Sequence, residues 1–145
     1  MGTQKASAKW NGTLKEGSGS FNLPKANLNA DYTFATRFEN ANGTNPEELV
    51  GAAISSCYSM FLAALLTNNG FSNKEINTTA TVSLERDDTG PVITSINLDV
   101  TADVENIEND KFQSFVDEAI QKCPISRLYA TVEKNVSAKL LASAS

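Results

Sequence analysis

Two cysteines in a chain without histidine are the residues best suited to chemistry. The chain has 145 residues, with Cys57 inside a long uncharged stretch and Cys123 directly before Pro124, and it contains no histidine. The lack of histidine excludes a serine or cysteine nucleophile served by an imidazole base, and also the usual His-rich zinc site. Thiols working as a pair are therefore the best candidates, and an arginine or lysine would have to stabilise the thiolate.

Each cysteine also has a purely structural interpretation. Cys57, in the middle of an apolar helix, would be a small hydrophobic residue unless a cation lies near it. Cys123, as the N-cap of a short helix beginning at Pro124, would lie near unpaired backbone N–H groups that favour a thiolate. Arg127 could reach the same region or form a surface ion pair. The spacing alone leaves both interpretations of Cys123 open.

A strong helix start precedes Cys57. In the run Asn45-Pro46-Glu47-Glu48, the asparagine suits the N-cap, the proline suits the first helical position, and the acids suit the first turn. Glu48 can complete a capping box, which leaves Glu47 with less of a structural role. The helix is predicted to run to about Asn69 and, being apolar nearly all round, to be buried on most sides.

The remaining pattern predicts a single α+β domain over residues 1–145. Alternating segments predict strands, amphipathic spacing at 111–122 predicts a helix with Phe112, Phe115, Val116 and Ala119 on one face, and Asp87 to Gly90 predict a hairpin turn. Arg37 falls in one of the alternating segments, between Phe34 and Phe38, and Arg86 suits a solvated turn without function. The predicted strands are 6–10, 32–38, 76–84, 92–104 and 131–141.

Charge and termini limit the classes of partner. A net charge of −5 and a pI near 4.7 argue against nucleic acid or an anionic membrane as the partner. The uncharged run 49–66 reaches the minimum length for a membrane span, but it contains polar residues and lacks a flanking basic cluster. A buried helix in a soluble fold explains it better. The N-terminus lacks the pattern of a secretory signal, so a cytoplasmic protein is expected.

Several motifs together resemble the OsmC/Ohr family of thiol-dependent hydroperoxide reductases. They are the run Thr36-Arg37-Phe38-Glu39, the run from Gly43 to Ala53, Cys57, and Cys123-Pro124-Ile125-Ser126. The resemblance extends from Trp10 to the last strand, and the position of Arg37 brings it closest to the OsmC branch. It implies curved antiparallel sheets around a long buried central helix, in an intertwined homodimer.

The resemblance also implies roles for four residues. Cys57 would attack the peroxide and become a sulfenic acid, Cys123 would form a disulfide with it, and an external dithiol would reduce that disulfide. Arg37 and Glu47 would position and activate the Cys57 thiolate. Organic hydroperoxides and hydrogen peroxide would be the substrates, and a lipoyl-type dithiol is one candidate reductant. No cofactor or metal is expected, because sulfur carries the electrons.

Two hypotheses combine the resemblance with helix geometry. Glu47 and Cys57 lie about 15 Å apart along one helix, so Glu47 of one subunit is expected to complete the site around Cys57 of the other. The N-cap position predicts that Cys123 is the more acidic thiol and a good leaving group.

Met60 and Phe61 suit either the core or an apolar substrate tail. A dithiol redox sensor and a ligand-binding module without turnover are the rival functions.

Overall fold

The computed structural model describes residues 1–141 and separates into two units, of which the first comprises residues 1–49 and the second begins at Val50. A single domain over residues 1–145 stays a prediction. The helices are α1 (Phe34–Phe38), α2 (Pro46–Asn68), α3 (Asn109–Lys122) and α4 (Pro124–Leu128). The strands are β1 (Ser7–Asn11), β2 (Ser18–Leu23), β3 (Leu28–Tyr32), β4 (Asn73–Asp87), β5 (Gly90–Val104) and β6 (Glu133–Leu140).

The first unit contains a three-stranded antiparallel sheet in the order β1-β2-β3. The dipeptide Asn11-Gly12, which in the sequence predicts a tight turn, closes β1 with Gly12 at a φ of 91°. The run Gly17-Ser18-Gly19 predicts a second turn, but Gly19 lies instead in β2 opposite Trp10 and Tyr32. A Cβ atom at this position would lie 2.6 Å from Cε3 of Trp10, so only glycine lets the indole pack this closely.

Residues 34–38 form the helix α1, so the predicted strand over 32–38 is wrong beyond Tyr32. Thr33 is the N-cap, and its Oγ1 accepts a hydrogen bond from the N–H of Thr36 at 3.2 Å. In return, Oγ1 of Thr36 accepts one from the N–H of Thr33 at 2.9 Å. This reciprocal capping box stabilises a helical turn that the alternation of aromatic and small residues concealed. It places Arg37 in the last turn of α1.

The second unit is built on the long hairpin β4-β5, which confirms the predicted turn. Strand β6 adds to the other edge of β5 but runs parallel to it, so this pair departs from the predicted antiparallel arrangement. Helices α3 and α4 lie between the two strands in the chain and provide the crossover that parallel strands require. The predicted apolar face of α3 is buried, as expected.

Helix α2 begins and ends close to the predicted residues. Oδ1 of Asn45 accepts the N–H of Glu48 at 2.8 Å, and Gly70 follows the helix with a φ of 85°. One face of α2 is fully buried in the core of the second unit, and its members are Ile54, Tyr58, Leu62 and Leu66.

The other face of α2 is not buried in the single chain. Met60 is 78% exposed, so the predicted burial of the helix on most sides is wrong for the single chain, and of the two roles considered for this residue the core role does not fit. Phe61 packs against the core, in contrast. Within residues 1–141, α2 is the one helix long and apolar enough to cross a membrane, a test that the core helix of a soluble protein also passes.

Candidate functional site

The structure brings the two cysteines into contact. The thiol of Cys123 donates a hydrogen bond to Sγ of Cys57 across 2.9 Å, although 66 residues separate them in the chain. Both cysteines are free thiols. Cys123 has no exposed surface, whereas Cys57 is only partly buried. The pair therefore has one sulfur that solvent can reach and one behind it that solvent cannot reach.

The backbone around Cys123 fixes its position. Its N–H donates to the carbonyl oxygen of Ala119 at 2.9 Å, which makes it the C-cap of α3. Its own carbonyl oxygen accepts the N–H of Arg127 at 3.0 Å, and Pro124 occupies the first turn of α4. The predicted N-cap position before Pro124 is confirmed. Cys123 thus lies at a rigid junction between two helices.

The environment of Cys123 makes it a weak acid, contrary to prediction. Burial of the sulfur is the main cause that raises the pKa of Cys123, and its hydrogen bond to Cys57 raises that pKa further. The N–H groups of Ser126 and Ile125, at the start of α4, act in the opposite direction and lower the pKa. The predicted effect of the helix N-terminus is therefore present, but desolvation exceeds it. The prediction that Cys123 is an acidic thiol is wrong.

Arg37 and Glu47 form an ion pair in the first unit. Nη2 of Arg37 donates to Oε1 of Glu47 at 2.7 Å, and Nε of Arg37 contacts both carboxylate oxygens, at 3.1 and 3.2 Å. Glu47 is 8% exposed. Its neighbour Glu48 is exposed and accepts a hydrogen bond from the hydroxyl of Thr44 instead. The sequence prediction that Glu47 was free of a capping role agrees with this arrangement.

An aromatic pocket adjoins Arg37. It encloses about 240 Å³ and is lined by Trp10, Leu14, Tyr32, Thr33, Phe34, Arg37 and Phe38. The Trp10 ring lies 5.5 Å from that of Tyr32, and its Nε1 donates to the carbonyl oxygen of Gly12 at 3.2 Å. The Arg37 guanidinium lies 5.2 Å from the centre of the Phe38 ring. This pocket was missed in the sequence, where the signal was a lone tryptophan followed by Gly17 and Gly19.

The other two arginines of the chain lie on the surface. Arg86 lies exposed near the end of β4, and Arg127 lies exposed in α4. In the part of the chain that the structure describes, no group of three or more Cys, Asp or Glu side chains is arranged to hold a metal ion. The structure thus contains two candidate pairs, Cys57–Cys123 in the second unit and Arg37–Glu47 in the first.

Known proteins are similar to this chain over most of its length. A family model described as OsmC-like protein matches residues 39–139. Peroxiredoxin OsmC of Escherichia coli (strain K12) is 41% identical over 126 residues, which cover 86% of this chain and 88% of that protein. Organic hydroperoxide resistance protein-like 2 of Staphylococcus epidermidis is 32% identical over 89 residues, which cover 61% of this chain and 62% of that protein.

Solved structures agree on the fold. The crystal structure of the organic hydroperoxide resistance protein OhrB of Bacillus subtilis has a TM-score of 0.73 at 22% identity, covering 93% of this chain and 98% of that one. The family model matches more than half of the chain, and the Escherichia coli protein is 41% identical over 86% of it. The chain belongs to the OsmC-like protein family.

Proposed function

We propose that this protein is a thiol-dependent peroxidase that reduces organic hydroperoxides and hydrogen peroxide. The observation that carries the proposal is the 2.9 Å contact between a partly exposed and a fully buried free thiol. Two sulfur atoms in contact can close a disulfide without a large backbone movement. The names of the Escherichia coli and Staphylococcus epidermidis relatives, a peroxiredoxin and a hydroperoxide resistance protein, support the same activity.

Cys57 is the thiol that attacks the peroxide. It is the more accessible of the two, and its sulfur lies 2.9 Å from that of Cys123, the thiol that must react with it in the next step. The Cys57 thiolate takes the terminal oxygen of the hydroperoxide, the O–O bond breaks, and the leaving alkoxide takes a proton to become an alcohol. Cys57 is then a sulfenic acid.

Cys123 resolves this sulfenic acid. Its sulfur bonds to the sulfur of Cys57, the S–O bond breaks, and the hydroxyl leaves with the proton of Cys123 as water. An external dithiol, for which a lipoyl-type compound is the candidate, then reduces the disulfide and returns both thiols. The N–H groups of Ile125 and Ser126 would stabilise Cys123 as the leaving thiolate. A cycle that ends in free thiols suits the reducing cytoplasm.

Arg37 and Glu47 position the reacting groups. The bidentate contact fixes the plane of the guanidinium, which would stabilise the thiolate and the developing alkoxide. Glu47 and Cys57 lie on the same helix about 15 Å apart along its axis. We therefore propose an intertwined homodimer in which the Arg37–Glu47 pair of one subunit serves the thiol pair of the other. The exposed apolar side of α2, including Met60, suits such an interface.

The aromatic pocket is the proposed place for the organic part of the substrate. It is apolar, and Arg37 lies in its wall, so a tail bound there would leave the peroxide group close to the guanidinium. Pockets of this kind fix a ligand by its apolar part and orient it by a few polar groups.

Steady-state peroxide consumption with a small dithiol tests the function. We expect the Cys57→Ser variant to be inactive and the Cys123→Ser variant to stall after one oxidation of Cys57. Oxidation of wild-type protein without turnover would indicate a redox sensor. Thiols that react neither with peroxide nor with alkylating agents would indicate a binding module, and would refute the proposal.

A mixture of Glu47→Ala and Cys57→Ser chains tests the shared site. In a mixed dimer, one site combines an intact Glu47 with an intact Cys57 from the other chain, and the second site lacks both. We expect mixing to restore roughly a quarter of wild-type activity at equal amounts, because about half the dimers are mixed and one of their two sites is complete. No recovery, with mixed dimers demonstrated, would refute the arrangement across subunits.

A further inference from the structure

Tyr58 joins the helix that carries Cys57 to the helix that ends at Cys123. Its side chain is completely buried, and its hydroxyl donates a hydrogen bond to the carbonyl oxygen of Val116 in α3 at 3.0 Å. Within residues 1–141, this is the one hydrogen bond between a side chain of α2 and α3 besides the Cys57–Cys123 contact at the C-cap. It begins at the residue directly after Cys57.

The far end of this bond is aligned with Cys123. Val116 and Cys123 are seven residues apart, which is close to two helical turns, so they lie on the same side of α3. The N–H of Cys123 continues the helical pattern by donating to Ala119 at 2.9 Å. A tether from α2 to Val116 therefore sets the separation between α2 and the side of α3 on which Cys123 lies.

We infer that Tyr58 is a positioning residue for disulfide formation, whose hydroxyl keeps Cys57 and Cys123 in contact. This inference rests on the proposed function, since it concerns the second step of that cycle. The step needs no further oxidant, because the peroxide has already oxidised Cys57. A tether of this kind raises the effective concentration of one sulfur at the other.

The hydroxyl of Tyr58 stays protonated over the working pH range. Burial is the main cause that raises the pKa of Tyr58 above its usual value, and the charges of Asp117 and Cys123 raise it further. The phenol is thus always able to donate. Removing it leaves no unpaired group, because the carbonyl of Val116 also accepts the N–H four residues later in α3.

Slow closure of the disulfide has a measurable consequence. If the disulfide closes slowly, the sulfenic acid of Cys57 can react with a second hydroperoxide. The hydroperoxide transfers one oxygen atom to the sulfur and leaves as an alcohol, and the sulfenic acid becomes a sulfinic acid. That product no longer forms the disulfide. The fraction of Cys57 that becomes sulfinic acid per turnover therefore measures the rate of disulfide closure. It does not depend on the rate at which the first peroxide oxidises Cys57.

The test compares Tyr58→Phe with wild type in two readouts. Rapid mixing with one equivalent of cumene hydroperoxide measures sulfenic acid formation and disulfide closure, and intact-protein mass spectrometry measures sulfinic acid at excess peroxide. We expect closure to be about fivefold slower, the factor that corresponds to one typical buried hydrogen bond. We expect the sulfinic fraction per turnover to rise by a similar factor, while formation of the sulfenic acid stays within twofold.

Tyr129→Phe is the matched control. Tyr129 also lies in the second unit and is partly buried, but its hydroxyl makes no hydrogen bond to the residues that the structure describes. We expect wild-type values for both readouts. Unchanged closure in Tyr58→Phe would overturn the inference, and so would an equal loss in both steps, which would indicate general damage to the fold. If wild-type Cys57 forms no sulfenic acid, it is the proposed function that fails.

Discussion

Replacing Glu47 by glutamine isolates the contribution of the Arg37–Glu47 pair. Glutamine has nearly the same shape, but it keeps one acceptor oxygen and presents an NH₂ group to a guanidinium that can only donate. The three contacts of 2.7, 3.1 and 3.2 Å between Arg37 and the carboxylate cannot all survive. We expect the guanidinium to lose its fixed plane while it keeps its charge.

The magnitude follows from the number and burial of these contacts. A hydrogen bond between charged partners contributes about 1.5 to 3 kcal/mol. The lower end applies here, since the Arg37 side chain is 36% exposed while that of Glu47 is 10% exposed. A loss of about 1.5 kcal/mol corresponds to a decrease of roughly tenfold in rate. We therefore expect the rate constant for oxidation of Cys57 to fall by that factor.

Glu48→Gln is a close control for this variant. It removes an equal charge from the first turn of the same helix, but Glu48 is exposed and its side chain is bonded to Thr44, not to an arginine. Any general effect on the helix dipole, about 0.3 to 1 kcal/mol, is shared by both variants.

The assay is the rapid-mixing oxidation of reduced protein by peroxide, followed separately by reduction of the disulfide with a small dithiol. We expect Glu47→Gln to slow the first reaction strongly and the second by less than threefold, and Glu48→Gln to leave both within twofold. Equal slowing of the two reactions, or equal effects of the two substitutions, would refute the role assigned to Glu47. Arg37→Lys keeps the positive charge but lacks the planar guanidinium with its parallel N–H donors, so it should slow the two reactions as Glu47→Gln does.

Three further predictions concern stability and specificity. Because the pKa of Cys123 is raised in the folded protein, the contribution of this thiol to stability should be fully present below its unfolded pKa of about 8.5 and be lost as the pH rises from there through the folded pKa, by at most about 1.4 kcal/mol per pH unit. Urea unfolding of the reduced protein should show this slope, and the slope should be smaller in Cys123→Ser. Gly19→Ala should lower the free energy of unfolding by about 1 to 3 kcal/mol, because its Cβ would overlap Trp10; an unchanged urea midpoint would contradict the packing described. Trp10→Ala should raise KM for cumene hydroperoxide about tenfold and leave kcat/KM for hydrogen peroxide within twofold; equal changes for both substrates would argue against a tail pocket.

Local signals predicted the elements that local interactions stabilise. The start of α2 follows from the side chain of Asn45 and the ring of Pro46, and both act within one turn. The hairpin β4-β5 follows from alternation over more residues than a chance pattern would cover. Residues 33–38 misled the prediction because two local signals competed there. The alternation suggested a strand, while Thr33 and Thr36 cap each other and favour a helix.

Features that depend on distant parts of the chain were not predictable in this way. The parallel pairing of β6 with β5 is decided by the path of α3 and α4, which no pattern within β6 reveals. The contact between Cys57 and Cys123 likewise joins residues 66 positions apart, and only the family resemblance suggested it. The aromatic pocket has the same origin, since β1, β3 and α1 each contribute part of its wall.

The acidity of Cys123 shows why a local rule can give the wrong sign. The two N–H groups at the start of α4 lower the pKa of the thiol as expected, but their effect is set by neighbours in sequence, whereas burial is set by the packing of the whole second unit. This correction changes the role proposed for each of the two thiols. In the proposed cycle, a buried, protonated Cys123 would donate to Cys57 before the peroxide arrives, and it would supply the proton when hydroxide leaves the sulfenic acid. The N–H groups of α4 become important only later, when reduction of the disulfide places negative charge on Cys123.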